Sequence, residues 1–161
     1  MQARGPFIPG LVLSELFYEE AVKPILATRF PRLVYSAAHI GYGSDVLGFD
    51  TPRSTDHGWG PKLELFVPDT VDERTRAGIV TVLSEDLPYA FHGYSTNFAS
   101  PEVDGGWLEQ ITSGPITHGV SVWTTRAFFM EHLGIDPYQD LTPVDWLVLP
   151  QQRLRSNAFA A

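Results

Sequence analysis

The sequence predicts an α/β protein of the α+β kind, a mixed β-sheet of about four strands with helices packed on it. Three observations carry this. Four short runs rich in β-branched, aliphatic and aromatic residues lie at 33–40, 62–67, 89–94 and 119–123. Between them stand segments with apolar residues at helical spacing and capping residues at their starts. Thirteen prolines and fourteen glycines in 161 residues cut the chain into short elements, so loops carry much of the surface.

Residues 1–9 read as an irregular arm. Residues 11–29 form the first predicted helix, with Leu16, Phe17, Ala21 and Ile25 near helical spacing. Pro24 lacks a donor and crowds the carbonyl of Glu20, so a kink is expected there, and Pro31 bars further helix. Glu19 and Glu20 are adjacent and face different directions on a helix, which reads as solvated surface. Residues 33–40 form the first strand, apolar on both faces and therefore expected at the centre of the sheet. His39 stands near its end, where it either serves as a hydrogen-bonded structural residue or meets a ligand. Ser44 opens a short helix, 45–47, that Gly48 ends. Asp45 and Asp50 read as turn or capping residues. In the strand 62–67, Leu63, Leu65 and Val67 share one face while Lys62, Glu64 and Phe66 share the other. Pro68 ends it.

Thr70-Val71-Asp72-Glu73 has the form of a capping box and starts a helix over 70–84, with Ala77, Val80 and Leu83 as its apolar stripe. Pro88 breaks that pattern before the third strand, 89–94. The stretch 95–118 is a long loop with room for a short strand near 107–111. His92 precedes it and His118 closes it, without the third partner a metal site needs. After the fourth strand, Thr124 or Thr125 caps a helix through Leu133, which Gly134 ends. Thr142-Pro143 starts a last helix with Asp145 in its first turn, and Pro150 interrupts it.

A chain of this length is expected to be one domain, 1–161, with a sizeable core. No run reaches the length of a transmembrane helix, and MQARGPFIPG lacks the apolar core of a signal peptide, so the expected location is cytoplasmic. Without cysteine there is no disulfide, thiolate site or thiol nucleophile. The formal charge of −8 argues against nucleic-acid binding, which needs Lys and Arg to displace counterions. It is compatible with a cationic small-molecule substrate, and equally with an acidic surface kept for solubility. There is no Gly-x-Ser-x-Gly elbow, no Gly-Lys-Ser/Thr phosphate loop and no His-Glu-x-x-His. Gly41-Tyr42-Gly43 is only part of a dinucleotide fingerprint, because Val46 stands where the third glycine would.

The stretch that organises the chain is 41–61, GYGSDVLGFDTPRSTDHGWGP. A strand leads into a Gly-Ser turn, and an acidic residue, Asp56, follows about a dozen residues later on the approach to the next strand. Glycines let the backbone come close to a phosphate, and amides opening a helix present positive charge to it. A carboxylate on the neighbouring strand can hold the divalent ion that accompanies phosphates.

With FIPGL, LGIDP and VDWLVLPQQRL, this stretch resembles the nucleotidyltransferase superfamily shared with DNA polymerase β, and within it an uncharacterised bacterial family. The resemblance covers nearly the whole chain. It implies a nucleotidyltransferase-like sheet, and transfer of a nucleoside monophosphate from a nucleoside triphosphate to the hydroxyl of a small-molecule acceptor, with no nucleic acid and no membrane as partner. It implies phosphate contacts at Gly43 and Ser44, with Arg53 nearby, and Mg²⁺ on Asp56 as catalytic carboxylate. It also implies a second acidic residue where this chain has Gly58, on the same face of a strand as Asp56, and a third on the 119–123 strand, where this chain has Ser121. The activity is therefore expected to be impaired. The alternatives are an inactive nucleotide- or partner-binding module, or a decayed or truncated member, since the family continues into a helical C-terminal domain.

Overall fold

The computed structural model describes residues 6–41, 43–55, 58–99 and 107–149. Its helices are α1 (Gly10–Phe17), α2 (Lys23–Arg29), α3 (Glu73–Asp86), α4 (Thr125–Leu133) and α5 (Pro143–Val148). Its strands are β1 (Ser36–Ala38), β2 (Lys62–Val67), β3 (Ala90–Phe91), β4 (Tyr94–Ser95) and β5 (Gly119–Thr124). The chain is a mixed α and β protein. The main sheet has the order β1-β2-β5, with β1 antiparallel and β5 parallel to β2.

The strand 62–67 forms as its alternation requires. Leu63, Leu65 and Val67 are buried, and they meet Leu13 and Phe17 of α1, Leu26 of α2, and Ile79 and Leu83 of α3 in one core. β2 is central because it is bonded on both sides. The first strand is different: only Ser36–Ala38 pairs, and it pairs on one side, so β1 is an edge strand rather than the centre of the sheet. Its apolar run does not mark burial on both faces, since Val34 is 72% exposed while Leu33, Tyr35 and Ala37 pack against the core.

The first helix is continuous from α1 to α2 through a π-helical turn, Tyr18–Val22, in which the Lys23 amide bonds the Tyr18 carbonyl. Pro24 stands two residues after this turn, in the first turn of α2. The expected disturbance is thus a widened turn, which accommodates the proline's missing donor and its crowding of the preceding carbonyls. α3 begins two residues later than the Thr70 box implies. Asp72 is the cap, its carboxylate accepting from the Thr75 amide. Its buried residues are Ile79 and Leu83, whereas Ala77 and Val80 face solvent, so the helix is rotated from the expected stripe.

The expected third strand, 89–94, is instead a hairpin apart from the main sheet. His92 and Gly93 both have positive φ, as a two-residue type I′ turn requires, and this folds β3 back on β4. His92 Nε2 lies 2.9 Å from Glu20 Oε2 and ties the hairpin to the π turn. The expected pairing near 107–111 exists as a bridge of Leu108 to Phe98. Thr124 caps α4 and Gly134, at φ 72°, ends it. Thr142 and Asp145 form a full capping box at α5. α4 lies on the other face of the sheet, where Phe128 meets Phe66 and Trp123 edge-on at 5.0 and 5.8 Å. No described helix is long and apolar enough to cross a membrane.

This packing sets a contrast that urea denaturation would read. Leu65→Ala, at a side chain with no exposure, is expected to cost about 2–5 kcal/mol. Val34→Ala, in the same apolar register of sequence but exposed, is expected to cost less than about 0.5 kcal/mol.

Candidate functional site at the Gly-Ser turn

β1 delivers His39 to the edge of the sheet, and the chain then turns. The Leu47 amide bonds the Gly43 carbonyl at 3.4 Å, Gly48 bonds Asp45 at 3.1 Å and Phe49 bonds Ser44 at 2.8 Å. The expected helix over 45–47 is therefore a compact turn, which Gly48 reverses at φ 70°. Asp45 is drawn inward, with its side chain 2% exposed. Its Oδ2 lies 2.8 Å from His39 Nε2 and 3.1 Å from Lys62 Nζ, at the start of β2. Lys62 Nζ also donates to the Gly58 carbonyl. Burial by itself would raise the Asp45 carboxyl. The His39 hydrogen bond and the Lys62 charge outweigh it and hold the group at about 2.

The turn leaves no room for a side chain on Gly43. Gly43 has φ 143°, and a Cβ there would sit 2.2 Å from Asp45 Oδ1. A Cβ on Gly10, across the gap in α1, would sit 2.5 Å from the Asp45 Cβ. Asp50 fastens the other end of the turn. Its Oδ2 accepts from the Gly10 amide at 2.6 Å and from Trp59 Nε1 at 2.9 Å, so it caps the first turn of α1. The Trp59 ring is buried between Phe7 and Tyr94.

Next to Lys62 on the same face of β2 stands Glu64. Register places it beside Ser121 of β5, which bonds it, and Trp123 Nε1 donates to Glu64 Oε2 at 2.6 Å. Burial raises the Glu64 pKa, and the hydrogen bonds from Trp123 and Ser121 offset this only in part. Thus the β5 strand, which carries no acid of its own here, faces one supplied by β2. His118 sits below and has no free ligand role. Its Nε2 lies 3.0 Å from the Val80 carbonyl and its Nδ1 accepts from the Val120 amide at 3.1 Å, while burial lowers its pKa.

Of the residues singled out from sequence, Gly43 and Ser44 stand in the turn beside Asp45, His39 and Lys62. Arg53 is exposed in a separate turn closed by the Ser54 amide on the Thr51 carbonyl at 2.9 Å. Asp56 lies outside the described residues. Gly58 has φ 60° and precedes β2, which begins at Lys62. Position 58 is therefore in a left-handed turn and not, as expected, on a strand. The sequence reading missed that Asp45 is the buried hub. The signal available for it was an acid six residues after His39 with Lys62 opening the next strand.

Among the described residues no group of three or more His, Asp or Glu could hold a metal ion. Asp45 spends its charge on Lys62 and His39, and the raised pKa of Glu64 disfavours the charged form a hard cation needs. The described side chains thus do not fit Mg²⁺. No family model, curated protein or solved structure matches the chain.

The Asp45 cluster should make stability depend on acidity. A carboxyl held at about 2 against an ordinary 3.8 stabilises the fold fully above the ordinary value, and this contribution is lost as pH falls towards 2. Asp45→Asn is expected to cost about 2 kcal/mol at neutral pH. The gap to the unmodified chain should close in urea titrations taken down through pH 4 to 2. Comparing the two proteins isolates Asp45 from Glu64, whose raised pKa acts in the opposite sense.

Proposed function

We propose that the chain is a nucleotidyltransferase-like protein. In this reading it binds a nucleoside triphosphate at the Gly43–Ser44 turn and transfers the nucleoside monophosphate to the hydroxyl of a small molecule, weakly. The observation that carries the reading is the order strand β1, Gly-Ser turn, neighbouring strand β2. It brings the backbone of Gly43 close to a lysine, since a Cβ on Gly43 would lie 3.7 Å from Lys62 Nζ. A glycine turn beside a cation offers amides and positive charge to phosphate oxygens, which would share Lys62 with the Asp45 carboxylate that lies nearer still to Gly43. Phosphoryl transfer asks mainly for positioning and for stabilisation of charge on those oxygens. The chain's own contribution would be a turn held rigid by Asp45 and Asp50, with Lys62 facing the added negative charge.

A second reading, nucleotide binding without turnover, is favoured by the engagement of Asp45 and Glu64 in internal bonds. Mg²⁺ remains part of the transferase proposal through Asp56, with Gly58 as the position of weakness. Asp tolerates the left-handed backbone at position 58 better than most residues, so Gly58→Asp tests that position at modest cost to the fold.

Calorimetric titration of ATP, GTP, CTP and UTP, with and without Mg²⁺, tests both readings. At least one nucleotide is expected to bind the unmodified chain. Gly58→Asp should raise Mg²⁺-dependent affinity on the order of tenfold, and Asp56→Ala in that background should cancel the gain. Turnover to a nucleotidylated small molecule would support the transferase, and binding without it the module. No binding in either protein would overturn both.

A further inference from the structure

The turn that carries Gly43 and Ser44 ends on an exposed aromatic side chain, which deepens the nucleotide reading and rests on it. Leu47 is 53% exposed and Phe49 76%. Between them Gly48, at φ 70°, reverses the chain. The Gly48 amide bonds the Asp45 carbonyl at 3.1 Å and the Phe49 amide bonds the Ser44 carbonyl at 2.8 Å. A helical turn closes on a left-handed glycine with this pair of bonds. The second bond brings the Phe49 backbone back beside Ser44, so the ring is rooted next to the turn proposed to hold phosphate.

The backbone under this ring is held from both sides. Before it, Val46 is buried and Asp45 is bound to His39 and Lys62. After it, Asp50 accepts from the Gly10 amide and the Trp59 indole. The Phe49 ring itself faces water, and so forgoes the free energy that a buried phenyl ordinarily supplies. A ring with two side-chain torsions on a fixed backbone loses little freedom when a flat partner settles on it. The polar side chains around it are already engaged. Besides Asp45 and Asp50, the Ser54 hydroxyl accepts from the Thr51 amide at 2.6 Å, and Thr51 Oγ1 accepts from the Arg53 amide at 3.3 Å. Groups that could read the edge of a base are therefore scarce here, whereas a ring face receives any base.

We propose that Phe49 is the base platform of this site. The triphosphate lies on the Gly43–Ser44 turn with Lys62 beside it, and the nucleobase stacks on the Phe49 ring with Leu47 at its edge. Recognition by stacking ranks nucleotides by the strength with which their rings stack and not by their hydrogen-bonding edges. ATP and GTP are then equal, and both bind more tightly than CTP and UTP.

The test titrates ATP, UTP and ribose 5-triphosphate, which offers sugar and phosphates without a base, into the full chain by calorimetry. ATP is expected to bind about five- to hundredfold more tightly than ribose 5-triphosphate, with UTP between them. Phe49→Ala should bring ATP down to the level of ribose 5-triphosphate. It should leave the affinity for ribose 5-triphosphate and the urea midpoint unchanged, because the ring is exposed. Phe49→Trp should keep the ATP affinity, and its added indole fluorescence should fall with ATP and not with ribose 5-triphosphate. Ribose 5-triphosphate binding as tightly as ATP, or an ATP affinity unchanged in Phe49→Ala, would overturn the platform and leave the phosphate turn standing. Binding of none of the three would overturn the nucleotide reading and this inference with it.

Discussion

The buried carboxylate of Asp45 is the constraint on which the site and its surroundings depend. A lone ionised acid in an interior is too costly to persist, so it must have cationic and hydrogen-bonding partners. Here these are His39, just past the end of β1, and Lys62, at the start of β2. One interaction thereby fixes where the first strand stops, how the turn runs and where the second strand begins. It also fixes its neighbours, because Gly43 and Gly10 both lie too close to Asp45 to carry a side chain. Asp50 repeats the device at the other end of the turn, binding the first amide of α1 and the indole of Trp59.

The sheet then separates two kinds of chemistry. One face of β2 buries Leu63, Leu65 and Val67 against α1, α2 and α3 and supplies the hydrophobic driving force. The other carries Lys62, Glu64 and Phe66, partly covered by α4. Polar groups on that face are bonded across elements remote in sequence, as with the Trp123 indole and Glu64. A cleft between α1 and β1 lies where this two-sided arrangement ends, since an edge strand and the helix over it need not close completely.

Much of the fold was legible in the sequence, and the residues say why. The alternation of 62–67 has one solution, and Thr124, Gly134 and the Thr142–Asp145 box act through their own backbone neighbours. Where the reading erred, the deciding contact was distant. Nothing local says that 33–40 would be half unpaired, that Ile79 rather than Val80 would turn inward, or that 89–94 would fold on itself and anchor through Glu20. The site was legible as a turn at Gly43 and Ser44. It was not legible as a cluster, because His39, Asp45 and Lys62 are joined only when β1 and β2 pair.

By itself the sequence determined the α and β character of the chain, the alternating strand 62–67, the caps of its later helices and the position of the glycine turn, all of which follow from periodicity and local backbone chemistry. Tertiary structure alone decided which strand became an edge and which acid was buried. Those outcomes depend on what packs against each residue, and packing partners here are set by the pairing of segments far apart in the chain.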